Sequence, residues 1–260
     1  MDSIDKILVP FDFSEASLNA LEYVRLFAGK LPKVEIISLY VSSMEIAPLD
    51  REKLQGDFDK VLDSIPFKGP RPIFQTTTGN VTDRILSVQG SIGASLIVMG
   101  TMGDKVTDEA ITNTSRLVLD ARCPVLSIPY GCPIKDPLNV ALILVGKSKT
   151  MKQMPAPLLA LAKVFGSKLH LLTKTRESET GERQPLLPNN PEPFYEVPPI
   201  DREGDVEEAV LKYIHKAKVD LLAIVPENHA EDSTPSQGRL TKLLTLHAEI
   251  PILSLGGHGV

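Results

Sequence analysis

The chain has 260 residues, 42% hydrophobic and 23% charged, with a formal net charge of -5 and a pI near 5.6. That length and apolar content suffice for one large domain or two of ordinary size, and an acidic balance without a basic stripe excludes a general nucleic-acid or acidic-membrane binder. Only Cys123 and Cys132 are present, which excludes a disulfide framework and points to a reducing cytoplasm.

The N-terminal stretch MDSIDKILVPFDF runs at once into an apolar segment, with no positively charged leader and no long hydrophobic run. Neither a secretory signal nor a membrane span is expected from it. Near-continuous runs rich in Val, Ile and Leu follow at KILVPF (6–11), VEIISLYV (34–41), SLIVMG (95–100) and PVLSIP (124–129), and PIFQTT (72–77) adds a fifth. Runs of this kind suit parallel strands covered on both faces. Helical patterns fall between them. Ala16, Ala20, Tyr23, Val24 and Phe27 share a face after Ser14 or Asp12, either of which can cap the helix, and further helices are expected over 50–63, 81–92 and 114–121.

The pattern returns after Pro137, with strands predicted at 140–146, 168–174, 220–226 and 251–255. Gly79 with Gly204, Gly100 with Pro226, and Pro124 with Pro251 stand 125, 126 and 127 positions apart, the steady offset of an internal duplication. This predicts two domains, 1–130 and 138–260, joined by YGCPIKDPLN (130–139). Residues 176–204 read as a polar, Pro-rich excursion of the second domain, with 185–199 extended and open to proteases.

In an open parallel sheet a ligand sits beyond the carboxyl ends of the strands, where strand order reverses. With strands one and four adjacent, Asp12 and Gly100 border one crevice. Gly100 and Gly103 either bring backbone to a phosphate or serve a tight turn needing positive φ. Thr112 or Thr114 offers a hydroxyl to that phosphate, or these two and Asn113 cap a helix. Asp12 accepts from an adenine or ribose donor, or caps the first helix. Val41 can flank a base through its backbone.

The segments KILVPFDFS (6–14), GNVTDRIL (79–86), LIVMGTMG (96–103) and NTSRLVLDARCPVLSIP (113–129) resemble universal stress protein domains, and the whole chain resembles the tandem form. The resemblance implies an α/β fold of two tandem Rossmann-like (adenine nucleotide alpha hydrolase-like) domains, each a five-stranded parallel sheet with flanking helices. It implies a stress-response regulatory or binding module that takes ATP with Mg²⁺ in the first domain, at Pro10, Asp12, Val41, Gly100, Gly103, Thr112, Asn113 and Thr114. ATP-binding relatives carry Gly-x-x-Gly, nine residues, then Gly-Ser or Gly-Thr. Counting from Gly103 sets Asn113 and Thr114 at the last pair, whereas matching back from CPVL sets Ile111 and Thr112 there. Either way the glycine of that final pair is replaced, by Asn113 or Ile111, so weak binding is expected. Ser95 stands where relatives commonly have Asp.

The second half sets Gly146 opposite Asp12, and Pro226 and His229 at the positions of the two glycines, as in a non-binding copy. The alternative is an interaction protein with no nucleotide. Asp104, Asp108 and Glu109 read as a solvated loop, the late histidines lack zinc spacing, and no catalytic constellation or metal site is legible. PVLSIP and PILSL end their halves as apolar edge candidates that need covering, and the resemblance implies that they pair across a pseudo-twofold axis, making the chain an intrachain pseudo-dimer. Replacing Gly100 by Val is expected to abolish phosphate approach and leave the fold largely intact.

Overall fold

The computed structural model describes residues 3–102, 114, 116–144, 154–173, 194–196, 206–225 and 249–255. The first half runs β1 (Lys6–Pro10), α1 (Glu15–Lys30), β2 (Glu35–Ser42), α2 (Pro48–Ser64), β3 (Ile73–Thr78), α3 (Val81–Ile92), β4 (Leu96–Thr101) and β5 (Val125–Pro129), with 116–120 also helical. The second runs β6 (Asn139–Leu144), α4 (Ala156–Phe165), β7 (Lys168–Thr173), β8 (Phe194–Glu196), α5 (Val206–Ala217), β9 (Leu221–Ile224) and β10 (Ile252–Ser254).

Local chemistry sets the helix ends. Ser14 caps α1 by accepting from the Ser17 amide at 3.2 Å, and Asn80 caps α3 by accepting from the Asp83 amide. α3 closes on Gly93 and α4 on Gly166, both left-handed, where a side chain is disfavoured.

The described strands form one sheet in the order β3-β2-β1-β4-β5-β10-β9-β6-β7-β8. Every neighbouring pair is parallel except β5 with β10, which is antiparallel. Each half therefore repeats one winding, in which strand order reverses beside the first strand of that half. PVLSIP and PILSL meet here: Leu126 lies opposite Leu253, flanked by Ser127 with Ile252 and Val125 with Ser254. An offset of 127 positions carries each of these pairs into another of the set, which is the register a twofold relation through Leu126 and Leu253 demands.

On the α1 face a single core crosses that junction, with Phe27 of α1 edge-on to Phe165 of α4 at 4.9 Å. On the other face the cores of the halves are separate. The connection 130–139 is tied along α1: Asn19 donates to the Pro129 carbonyl at 2.9 Å and Lys30 pairs with Asp136 at 3.0 Å.

Two findings differ from the sequence reading or add to it. Residues 194–196, inside the Pro-rich excursion, form the edge strand β8 beside β7, a strand the reading did not place. Ser95, buried at the start of β4, accepts from the amides of Asp5 and Lys6 at 3.2 and 3.1 Å, and Asp220 at the start of β9 accepts from the Asn139 amide at 2.8 Å. Each side chain staples the start of its half's first strand to that strand's neighbour. The serine thus does the backbone-anchoring work of a carboxylate without a buried charge.

Candidate functional site

The strand order of the first half places its switch point between β1 and β4. Pro10 ends β1 and pairs with Leu39, and the Phe11 amide still donates to the Leu39 carbonyl at 2.9 Å. On the other side of β2 the Ser42 carbonyl accepts from Gly79 at 2.8 Å. Backbone groups alternate sides along a strand. The amide and carbonyl of Val41 therefore point the same way as those of Leu39, past the last β1 partner and toward the crevice. Pro10 and Val41 are both half-buried there.

Asp12 is exposed in the loop that follows β1. Its Oδ1 accepts from the Ser14 amide at 3.0 Å and from the Ser14 hydroxyl at 2.5 Å, and its own amide donates to Ser17 Oγ at 3.4 Å. One carboxylate oxygen thus supports the cap of α1. With Asp12 just before its cap and Glu15 in its first turn, that helix end already carries negative charge, which opposes an anion there.

Gly100 corrects the expectation most clearly. It lies inside β4, opposite Ile128 of β5, and is not among the glycines with positive φ. A Cβ built on it would stand 1.9 Å from the Ala16 carbonyl oxygen and 2.2 Å from the Ala16 carbonyl carbon. The missing side chain lets the first turn of α1 lie on β4. This is a packing requirement, and it overturns the expectation that valine at this position leaves the fold intact. Thr114 is helical and half-buried, whereas Gly103, Thr112 and Asn113 lie outside the described residues, as do Gly146, Pro226 and His229 of the second half.

Phe13, which the sequence reading passed over, sits in the same loop with φ +63°. A left-handed aromatic residue is strained by roughly 1–2 kcal/mol. Its ring is held edge-on to Phe11 at 4.8 Å and lies 6.0 Å from Tyr40. The signal in the sequence was an aromatic directly after Asp12, at a position where the chain must turn.

At the ends of β4 and β5, the Tyr130 amide donates to the Thr101 carbonyl at 2.7 Å. A hydrogen bond to Glu15, followed by its charge, raises the Tyr130 phenol above its usual range. Burial pushes the Cys123 thiol up to about 12, far from a reactive thiolate. Among the described residues no cluster of three or more His, Cys, Asp and Glu could hold a metal ion, and no helix is long and apolar enough to cross a membrane.

The model of the Universal stress protein family matches residues 3–129, which takes in β1 through β5 and the whole of this crevice. Residues 3–129 belong to the universal stress protein family. The universal stress protein of Archaeoglobus fulgidus DSM 4304 is similar in structure with a TM-score of 0.69 at 16% identity, covering 98% of this chain and 99% of that one. A putative universal stress protein from Pseudomonas aeruginosa UCBPP-PA14 gives a TM-score of 0.63 at 15% identity, covering 99% and 95%. No curated protein sequence matches the chain. At these identities the likeness carries the fold alone, and it does so across both halves of the chain.

Proposed function

We propose that this chain is a stress-response regulatory module of two domains, 1–130 and 138–260, joined as an intrachain pseudo-dimer, with one weak Mg²⁺-dependent adenine-nucleotide site in the first. The observation that carries this reading is the direction of the Val41 backbone, whose donor and acceptor face the β1/β4 switch point beside Pro10 and the exposed Asp12. A purine edge needs one donor and one acceptor at fixed spacing, and a strand residue whose backbone extends past its neighbour's last partner offers both. The base and ribose end of a nucleotide fits these residues. The phosphate end rests on Gly103, Thr112 and Asn113, with Thr114 at the following helix. The acidic Asp104, Asp108 and Glu109 of that segment call for a cation between them and a triphosphate. Two buried free cysteines suit a cytoplasmic location.

The second reading, an interaction module that binds no nucleotide, draws on the structural work of Gly100 and Asp12. Calorimetric titration with ATP, with and without Mg²⁺, separates the two. The nucleotide reading expects weak heat, dependent on Mg²⁺, at one nucleotide per chain. A stoichiometry of two removes the non-binding role of the second domain, and no heat at millimolar ATP favours the interaction module.

A further inference from the structure

The two edges of the sheet are unequal. β8 is three residues long, whereas β3 is six, IFQTTT, with no charged residue and no proline. Natural edges are blunted by charge, proline, bulges or brevity, because their unpaired amides and carbonyls are a template for another strand. β3 uses none of these devices within its length.

Two hydrogen bonds fix which backbone groups face outward. The Gly79 amide donates to Ser42 of β2, so residues 79, 77 and 75 face inward and 78, 76 and 74 face away from the sheet. Arg84 Nε donates to the Thr78 carbonyl at 2.6 Å, from that outer side. The edge is therefore closed at Thr78 and leaves the amides and carbonyls of Phe74 and Thr76 directed outward.

Exposed apolar side chains stand at both ends of the edge. Ile73, 53% exposed, begins it. Val81 follows its end, and exposed Met44 and Leu49 flank the segment just after Ser42, the residue paired with Thr78. An antiparallel pairing of two copies brings the beginning of each edge to the end of the other, so Ile73 of one meets the apolar end of its mate. A parallel partner strand would not join these ends.

We propose that β3 is a self-association edge, through which two copies of this chain pair antiparallel about a twofold axis at Gln75. Phe74 and Thr76 of each copy exchange backbone hydrogen bonds with Thr76 and Phe74 of the other, and the Arg84 bond to Thr78 is kept. The absence of charge along the strand leaves no like-charge pair across the axis, a condition that a self-complementary interface must meet.

Sedimentation velocity on the full chain over a concentration series tests this. A reversible monomer–dimer equilibrium is expected, since a six-strand-residue contact is at the small end of specific interfaces. Gln75→Lys puts two like charges on the axis at an exposed position, and Thr76→Pro removes an outward amide without touching the bonds to β2. Each is expected to abolish the dimer while the thermal unfolding curve of the monomer stays in place. A chain that remains monomeric at its highest soluble concentration, or a dimer that persists in Gln75→Lys, overturns the proposal.

Discussion

Gly100 shows how one residue type can answer two different demands. Its place at the end of an apolar strand, three residues before Gly103, is legible in the sequence as a backbone that something approaches closely. What approaches is the Ala16 carbonyl, 1.9 Å from where a Cβ would stand, and spacing alone cannot distinguish a helix turn from a phosphate. Gly100→Ala is therefore expected to lower stability by about 1–3 kcal/mol, with Gly100→Val worse, because the contact is backbone and has no rotamer to yield. Urea unfolding measures this, and an unchanged midpoint in Gly100→Ala would contradict the close packing of α1 on β4. Asp12 and Ser14 were legible as cap formers, and both take part: Ser14 caps the helix and Asp12 holds Ser14.

At the scale of elements, nine of the ten described strands were visible in the sequence, most of them as apolar runs, because strands buried on both faces need near-continuous hydrophobic sequence. PIFQTT was legible although it lies at an edge, since β-branched and aromatic residues mark it. β8 was not, because three residues between Pro193 and Pro198 carry no period, and only tertiary pairing with β7 makes them a strand. The pairing of β7 with α5 adds a pH dependence. His170 Nδ1 lies 2.8 Å from the Tyr213 hydroxyl, and burial, followed by the charge of Lys168, lowers its pKa. The folded chain then favours the neutral ring, while the unfolded chain binds a proton near pH 6.5. This contribution to stability is complete above about pH 6.5 and is lost as pH falls through the depressed folded value. Thermal unfolding across that range is expected to show a decline that is smaller in His170→Gln; an identical decline in the variant would place the titrating group elsewhere.

Across the whole molecule, the duplication was legible as a steady offset, and the antiparallel β5–β10 pair is its physical consequence: two identical windings can share one sheet through like edges only by a twofold relation. The α1-side core that crosses this junction, together with the Lys30–Asp136 and Lys135–Asp220 pairs and the Asn19 bond along the connection, binds the halves into one body. The proposed inequality of the two crevices rests on sequence, since Gly103, Thr112, Asn113, Pro226 and His229 lie outside the described residues. The central claim is that a duplicated fold carries one nucleotide site, beside Val41. Photo-crosslinking with 8-azido-ATP and Mg²⁺, followed by peptide mapping, tests it most directly. Labelling confined to peptides around β1 and β2, and suppressed by excess ATP, is the expected result; labelling of peptides from 140–173 at equal yield, or labelling that ATP does not suppress, would contradict it.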